Sequence, residues 1–170
     1  MFTNKIDLLD VFQTMDGYCI LKLDDKFPLY NVPSDVDIMC ANKYSFAKKL
    51  SSFIFEKYKI KTKNHLEGNG NFQVDVIIEN KLDIKFDISD DFSYLSKIKV
   101  KKTFRDIVLA DKIKENGIFI PRLEHDLAIR YMEYKDKISE RPDKIKHLNY
   151  CKRHNIDYIE VINKFTNLKK

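Results

Sequence analysis

The sequence predicts an α+β domain, a mixed β-sheet with covering helices followed by a helical appendage. Three observations carry this. Leu82, Ile84, Phe86 and Ile88 alternate with Asp83, Lys85 and Asp87, the period of a two-faced strand. Phe46, Leu50, Phe53, Ile54 and Tyr58 recur at helical spacing. From Leu123 onward the pattern is helical only.

Taken in order, Thr3–Asp16 places Ile6, Leu9, Phe12 and Met15 on one helical face, with Gly17 expected as a left-handed cap. Tyr18–Leu23 (YCILKL) and Asp35–Cys40 (DVDIMC) read as neighbouring strands across an irregular loop containing Pro28 and Pro33. A helix runs from Lys43 to about Lys59, and a third strand follows at Lys59–His65. After the turn signal EGNGN, the runs 72–78 and 82–88 form a hairpin. Thr103–Ala110 is helical, and Asn116-Gly117 before IFIP marks a short hairpin or loop. Helices are expected over Leu123–Ile138, from Pro142, and over Ile156–Leu168. The boundary between an α/β core (1–121) and a helical C-terminal extension (122–170) falls near Pro121, the two packing as one unit.

A chain of 170 residues with 44% apolar and 34% charged side chains can bury a core of its own. Its three cysteines, Cys19, Cys40 and Cys151, imply no disulfide framework. The opening MFTNKIDLLDVFQTMDG has the pattern of neither a signal peptide nor a membrane span, so the cytoplasm is the expected compartment. The net charge of +5 is concentrated at Lys97–Lys114, a solvated face or a surface that attracts phosphates and nucleic acid.

The chemistry centres on Ser34-Asp35-Val36-Asp37-Ile38. Strand residues two apart share a face, so Asp35 and Asp37 project together while Val36 and Ile38 enter the core. Two such carboxylates repel unless a cation neutralises them, and Mg²⁺ commonly sits between one or two carboxylates and a substrate's phosphates. A solvated acidic edge strand is the alternative for an isolated D-x-D. Asp83 and Asp87 share the other two-faced strand with Lys85, and either could supply a third carboxylate for a two-metal site; Asp87 is the favoured one.

Helix, strand, loop, SDVDI, helix and a later KFDIS strand resemble the polymerase-β-like nucleotidyltransferase superfamily, in which Ser-Asp-x-Asp follows a Gly-Ser turn. The segment FIPRLEHDLAIRYMEYKDKISERPDKIKHLNY is similar to the helical extension of small bacterial-type members. The resemblance implies a mixed-sheet nucleotidyltransferase-like core, Mg²⁺ or Mn²⁺ at Asp35, Asp37 and Asp87, and an NTP as co-substrate. It implies transfer of a nucleoside monophosphate to an unidentified acceptor, a small molecule or sugar phosphate among the candidates. One departure stands out: the Gly-Ser turn would fall near Lys22-Leu23, and neither residue is Gly or Ser. Charged contacts from Lys22 or Lys26 then stand in for the backbone cradle, with Ser34 and Lys85 as further phosphate contacts.

Weaker constellations remain. His147, Cys151 and His154 have the spacing of ligands on one helix face, without the fourth ligand a structural zinc site needs. Arg141 and His147 resemble the Arg-x5-His ribonuclease motif of the HEPN family, although Pro142 follows the arginine. Glu124, His125 and Asp126 are consecutive on a helix, point in different directions, and are expected to face solvent. Two other functions stay open: a catalytically inactive nucleotidyltransferase-like binding module, and an antitoxin-like or nucleic-acid-binding protein.

Overall fold

The computed structural model describes residues 5–168. Its first element is helix α1 (Leu8–Thr14), started by Asp7, whose carboxylate accepts from the backbone N–H groups of Leu9 and Asp10. The cap sets the start later than periodicity suggested; Thr3 and Asn4 lie outside the described residues. The helix leaves through extended backbone at Met15, so Gly17 (φ +66°) serves the turn into the first strand and not a helix cap.

Five strands form the main sheet: β1 (Tyr18–Leu21), β2 (Ser34–Cys40), β3 (Thr62–Leu66), β4 (Phe72–Ile78) and β5 (Lys81–Ser89), in the order β1-β2-β5-β4-β3. The sheet is mixed, because β2 and β5 run parallel while the other pairs are antiparallel. Strand β1 stops two residues short of the expected Leu23, since Lys22 turns the chain with φ +52°. Helix α2 (Lys43–Tyr58) leaves β2 capped by the Asn42 side chain, which accepts from Ser45 N–H at 2.9 Å, and ends at a left-handed Lys59.

One sheet face is mostly apolar. Val36, Ile38, Val74, Ile84 and Phe86 pack with Val11 and Phe12 of α1 and Leu50 and Ile54 of α2. Each such side chain contributes about 1.5–3 kcal/mol by leaving water.

The opposite face is divided. Its Cys19, Leu21 and Met39 lie under helices α3 (Lys102–Ala110), α4 (Leu123–Lys137) and α6 (Ile159–Phe165), with Phe104 stacked against Phe92 and Phe165 at ring separations of 5.2 and 5.1 Å. The apolar patch ends at Leu21 and Met39. The next same-face residues of β2 are Asp37 and Asp35, so a cleft opens where helical cover gives way to carboxylates.

Between α3 and α4, strands β6 (Ile113–Glu115) and β7 (Ile118–Ile120) form the expected hairpin around Asn116 and Gly117, both at positive φ. Past α4, Pro142 opens a single 3₁₀ turn that runs into α5 (Ile145–Cys151). All three cysteines are buried and free. Among the described residues no helix is long and apolar enough to cross a membrane.

Ile84 is fully buried at the centre of the sheet. Ile84→Ala is expected to lower unfolding free energy by about 2–5 kcal/mol, whereas Asp35→Asn on the exposed end of β2 should change it by under about 0.5 kcal/mol. Urea titrations followed by far-UV circular dichroism measure both.

Candidate active site

In a parallel ladder, directly opposed residues project to the same face. The register sets Asp37 opposite Asp87 and Asp35 opposite Lys85. Neighbouring strands lie about 4.8 Å apart, so Asp37 and Asp87 stand side by side, with Asp35 and Lys85 as the next same-face pair toward the strand starts.

Asp83 does not join them. The β4–β5 register shifts between Val76 and Ile77, pairing Val76 with Ile84 and Ile77 with Leu82, so Asp83 is left without a ladder partner. This bulge reverses the alternation before it: Leu82 becomes exposed, and buried Asp83 accepts from the Tyr30 hydroxyl at 2.6 Å. Strict alternation had put Asp83 beside Lys85 and Asp87, and Leu82 in the core; the structure corrects both. Asp87, not Asp83, is the β5 carboxylate that stands beside Asp37.

Asp37 is tied down by Lys22, whose Nζ lies 2.9 Å from Asp37 Oδ2 and also contacts Glu133 of α4. Glu133 in turn pairs with Lys144. Lys22 N–H donates to Asp126 Oδ1 at 3.1 Å, and Arg130 holds Asp126 at 2.7 Å. Burial works against a charged Lys22, but Asp37 and Glu133 outweigh it and hold the ammonium well above its ordinary range. Burial likewise pushes Glu133 up, yet Lys22 and Lys144 bring its carboxyl down to about 2. Burial, with Asp37 beside it, pushes Asp87 up to about 6, partly offset by Lys85 and a hydrogen bond from Asn71.

Two cavities meet at Asp35 and Asp37. The larger, about 510 Å³, runs along the β1–β2 loop and is lined by Ser34, Lys26, Arg130, Lys146, His147 and Tyr150, among others. The smaller, about 270 Å³, holds Asp87, Lys85, Asn71, Gln73, Tyr94 and Lys137. Lys22 and Lys144 line both. The expected nucleotide contacts Ser34, Lys22 and Lys26 thus border the larger cavity, while Lys85 borders the smaller.

Several groups here carry no local sequence signal. Glu133 is inconspicuous in α4, and its partner Lys22 is 111 residues away. The buried Tyr94 hydroxyl has no hydrogen-bond partner in the smaller cavity, and neither ring nitrogen of buried His147 has one beside the larger. Burial lowers His147 to about 4, keeping the ring neutral near pH 7.

The weaker constellations resolve differently. Cys151 Sγ donates to the Leu127 carbonyl and His154 lies against Tyr150, so these two and His147 have separate surroundings. Arg141 is exposed and paired with Asp143, while His147 is buried. The expectation of solvent around Glu124-His125-Asp126 is corrected at two positions. His125 and Asp126 are buried, the histidine edge-on to Phe104 and the aspartate holding Lys22 and Arg130. Because α4 packs between the sheet and α5 and α6, more than one of its stripes leaves water.

Whether a divalent cation fits is decided by the donor set. Among the described residues no three His, Cys, Asp or Glu side chains converge into a ready-made metal cage. Two carboxylates do remain available: Asp87 Oδ1 is buried with no hydrogen-bond partner, and Asp37 beside it has one oxygen engaged by Lys22. That set fits a cation such as Mg²⁺, which takes one or two carboxylates and completes its shell with substrate phosphates.

No family model matches the chain, and no curated protein does. Solved structures similar to it include that of the Megavirus polyadenylate synthase, at 15% identity and a TM-score of 0.40. That alignment covers 85% of this chain and 28% of the synthase, so the chain spans under a third of the length of that structure.

The depressed Glu133 carboxyl predicts an acid limb in stability. Its ordinary value is 4.5 and its folded value about 2, so its stabilisation is complete above pH 4.5 and fades as pH falls toward 2. Glu133→Gln is expected to cost about 3–5 kcal/mol near pH 7, by leaving buried ammonium groups without their partner. It should also flatten the pH 2–4.5 limb, as urea midpoints across that range would reveal.

Proposed function

We propose that the chain is a metal-dependent nucleotidyltransferase that moves a nucleoside monophosphate from an NTP to an acceptor hydroxyl or phosphate on a small molecule, a sugar phosphate among the candidates. The observation that carries this reading is the Asp37–Asp87 pair, opposed in parallel register with Asp35 on the same face, where two cavities meet. Two cavities opening on Asp35 and Asp37, with Asp87 in the smaller, suit a two-substrate transfer.

The larger cavity supports nucleotide binding. Lys26, Lys146 and Arg153 supply positive charge for a triphosphate, and Phe27 offers an aromatic face to a base. The smaller cavity, which alone contains Asp87, suits the acceptor. Asp35, Asp37 and Asp87 would hold Mg²⁺ or Mn²⁺ with the triphosphate, where the cation neutralises phosphate charge and lowers the barrier to in-line displacement. The acceptor oxygen forms a bond to the α-phosphorus, the bond from that phosphorus to the α–β bridging oxygen breaks, and pyrophosphate leaves. Asp87, the carboxylate of the smaller cavity, would hold the cation on the acceptor side and so help activate the acceptor oxygen, whose proton passes to solvent. Lys22 and Lys144, lining both cavities, face the charge that develops on the leaving pyrophosphate.

The proposal is tested by calorimetric titration of each NTP, with and without Mg²⁺, into the wild type and Asp37→Asn. Binding should require Mg²⁺ and weaken at least about tenfold in the variant, about 1.4 kcal/mol. Equal binding without metal and in the variant would identify a nucleotide-binding module that lacks the transferase chemistry. Failure to bind any NTP, with salt-sensitive RNA binding instead, would favour a nucleic-acid-binding protein.

A further inference from the structure

We infer that the Lys22 ammonium stands where a second divalent cation would otherwise sit, so that the site takes a single divalent cation, between Asp37 and Asp87. This rests on the nucleotidyltransferase reading and narrows it: a two-metal displacement becomes one that uses one metal and one lysine.

The geometry places Lys22 on the opposite side of Asp37 from Asp87. Leu21, the last residue of β1, registers opposite Asp37, and β5 with Asp87 lies on the far side of β2. Lys22 therefore approaches from the β1 side, and its Nζ lies 2.9 Å from Asp37 Oδ2. A cation bridging Asp35 and Asp37 to a triphosphate in the larger cavity would compete with that ammonium for the same carboxylate. The Asp87 side stays open, since Asp87 Oδ1 is buried without a hydrogen-bond partner.

Lys22 is anchored, not an exposed side chain drawn in by neighbouring acids. Its side chain is 8% exposed, its Nζ also contacts Glu133, and Glu133 is itself 8% exposed. At its backbone, φ is +52° and the N–H is held by Asp126, which Arg130 fixes in turn. Withdrawing the ammonium would leave two carboxylates short of a partner, one of them buried.

A second divalent ion on Asp37 would lie against a fixed ammonium.

Electron paramagnetic resonance of Mn²⁺ titrated into the full chain, with a non-hydrolysable NTP analogue at saturation and corrected for Mn²⁺ bound to free analogue, counts the ions directly. The wild type and Lys22→Arg should each take up one Mn²⁺ per chain, and Lys22→Met, which keeps the apolar stem, should take up two. The wild-type count stands on its own if Lys22→Met fails to fold. Two ions in the wild type, or one in a folded Lys22→Met, would overturn the inference while leaving the nucleotidyltransferase reading intact. If the wild type takes up no Mn²⁺ in the presence of the analogue, that reading falls and the inference with it.

Discussion

The site depends on one buried ammonium shared between the sheet and the helices. Lys22 joins Asp37 of β2 to Glu133 of α4, and Lys144, just before α5, closes the chain on Glu133. Carboxylates as buried as Glu133 stay charged only when paired. The helical part must therefore dock where Glu133 can reach Lys22, which sets the cleft beside Asp37. The apolar contacts of Phe104, Met132 and Phe165 supply the adhesion, and the ion network supplies the register.

The second constraint is the sheet. Only a parallel β2–β5 pair in this register brings Asp37 level with Asp87, and the bulge at Asp83 removes a competing acid from the same face. With a regular ladder Asp83 would add a negative charge near Lys85, and Tyr30 would lose the carboxylate that accepts its buried hydroxyl. The loop between β1 and β2 then has Lys22 at one end and Ser34 at the other, and it walls the larger cavity.

Much of this was legible in the sequence where periodicity is local. The alternation in SDVDI and KFDIS identified both acid-bearing strands and the core residues opposite them, and the α+β architecture with its mixed sheet is as the pattern implied. Strict alternation misplaced Asp83 and Leu82 because one unpaired residue inverts every side chain before it. Glu133 and Asp126 were illegible for another reason. Lys22, the partner they share, lies more than a hundred residues away, and α4 is buried on several sides, so no stripe of its sequence marks which charged residues turn inward. Lys22 was visible as a departure from the Gly-Ser pattern, but its pairing with Asp37 and Glu133 emerges only from the packing of α4.

The most direct test of the account is where a cation binds. Amide spectra of uniformly ¹⁵N-labelled protein, recorded with an NTP analogue and substoichiometric Mn²⁺, report proximity through paramagnetic line broadening. The strongest broadening is expected at residues 35–38 and 86–89, fading along α5 toward His154. Broadening centred on His147–His154, or spread without a centre, would contradict it.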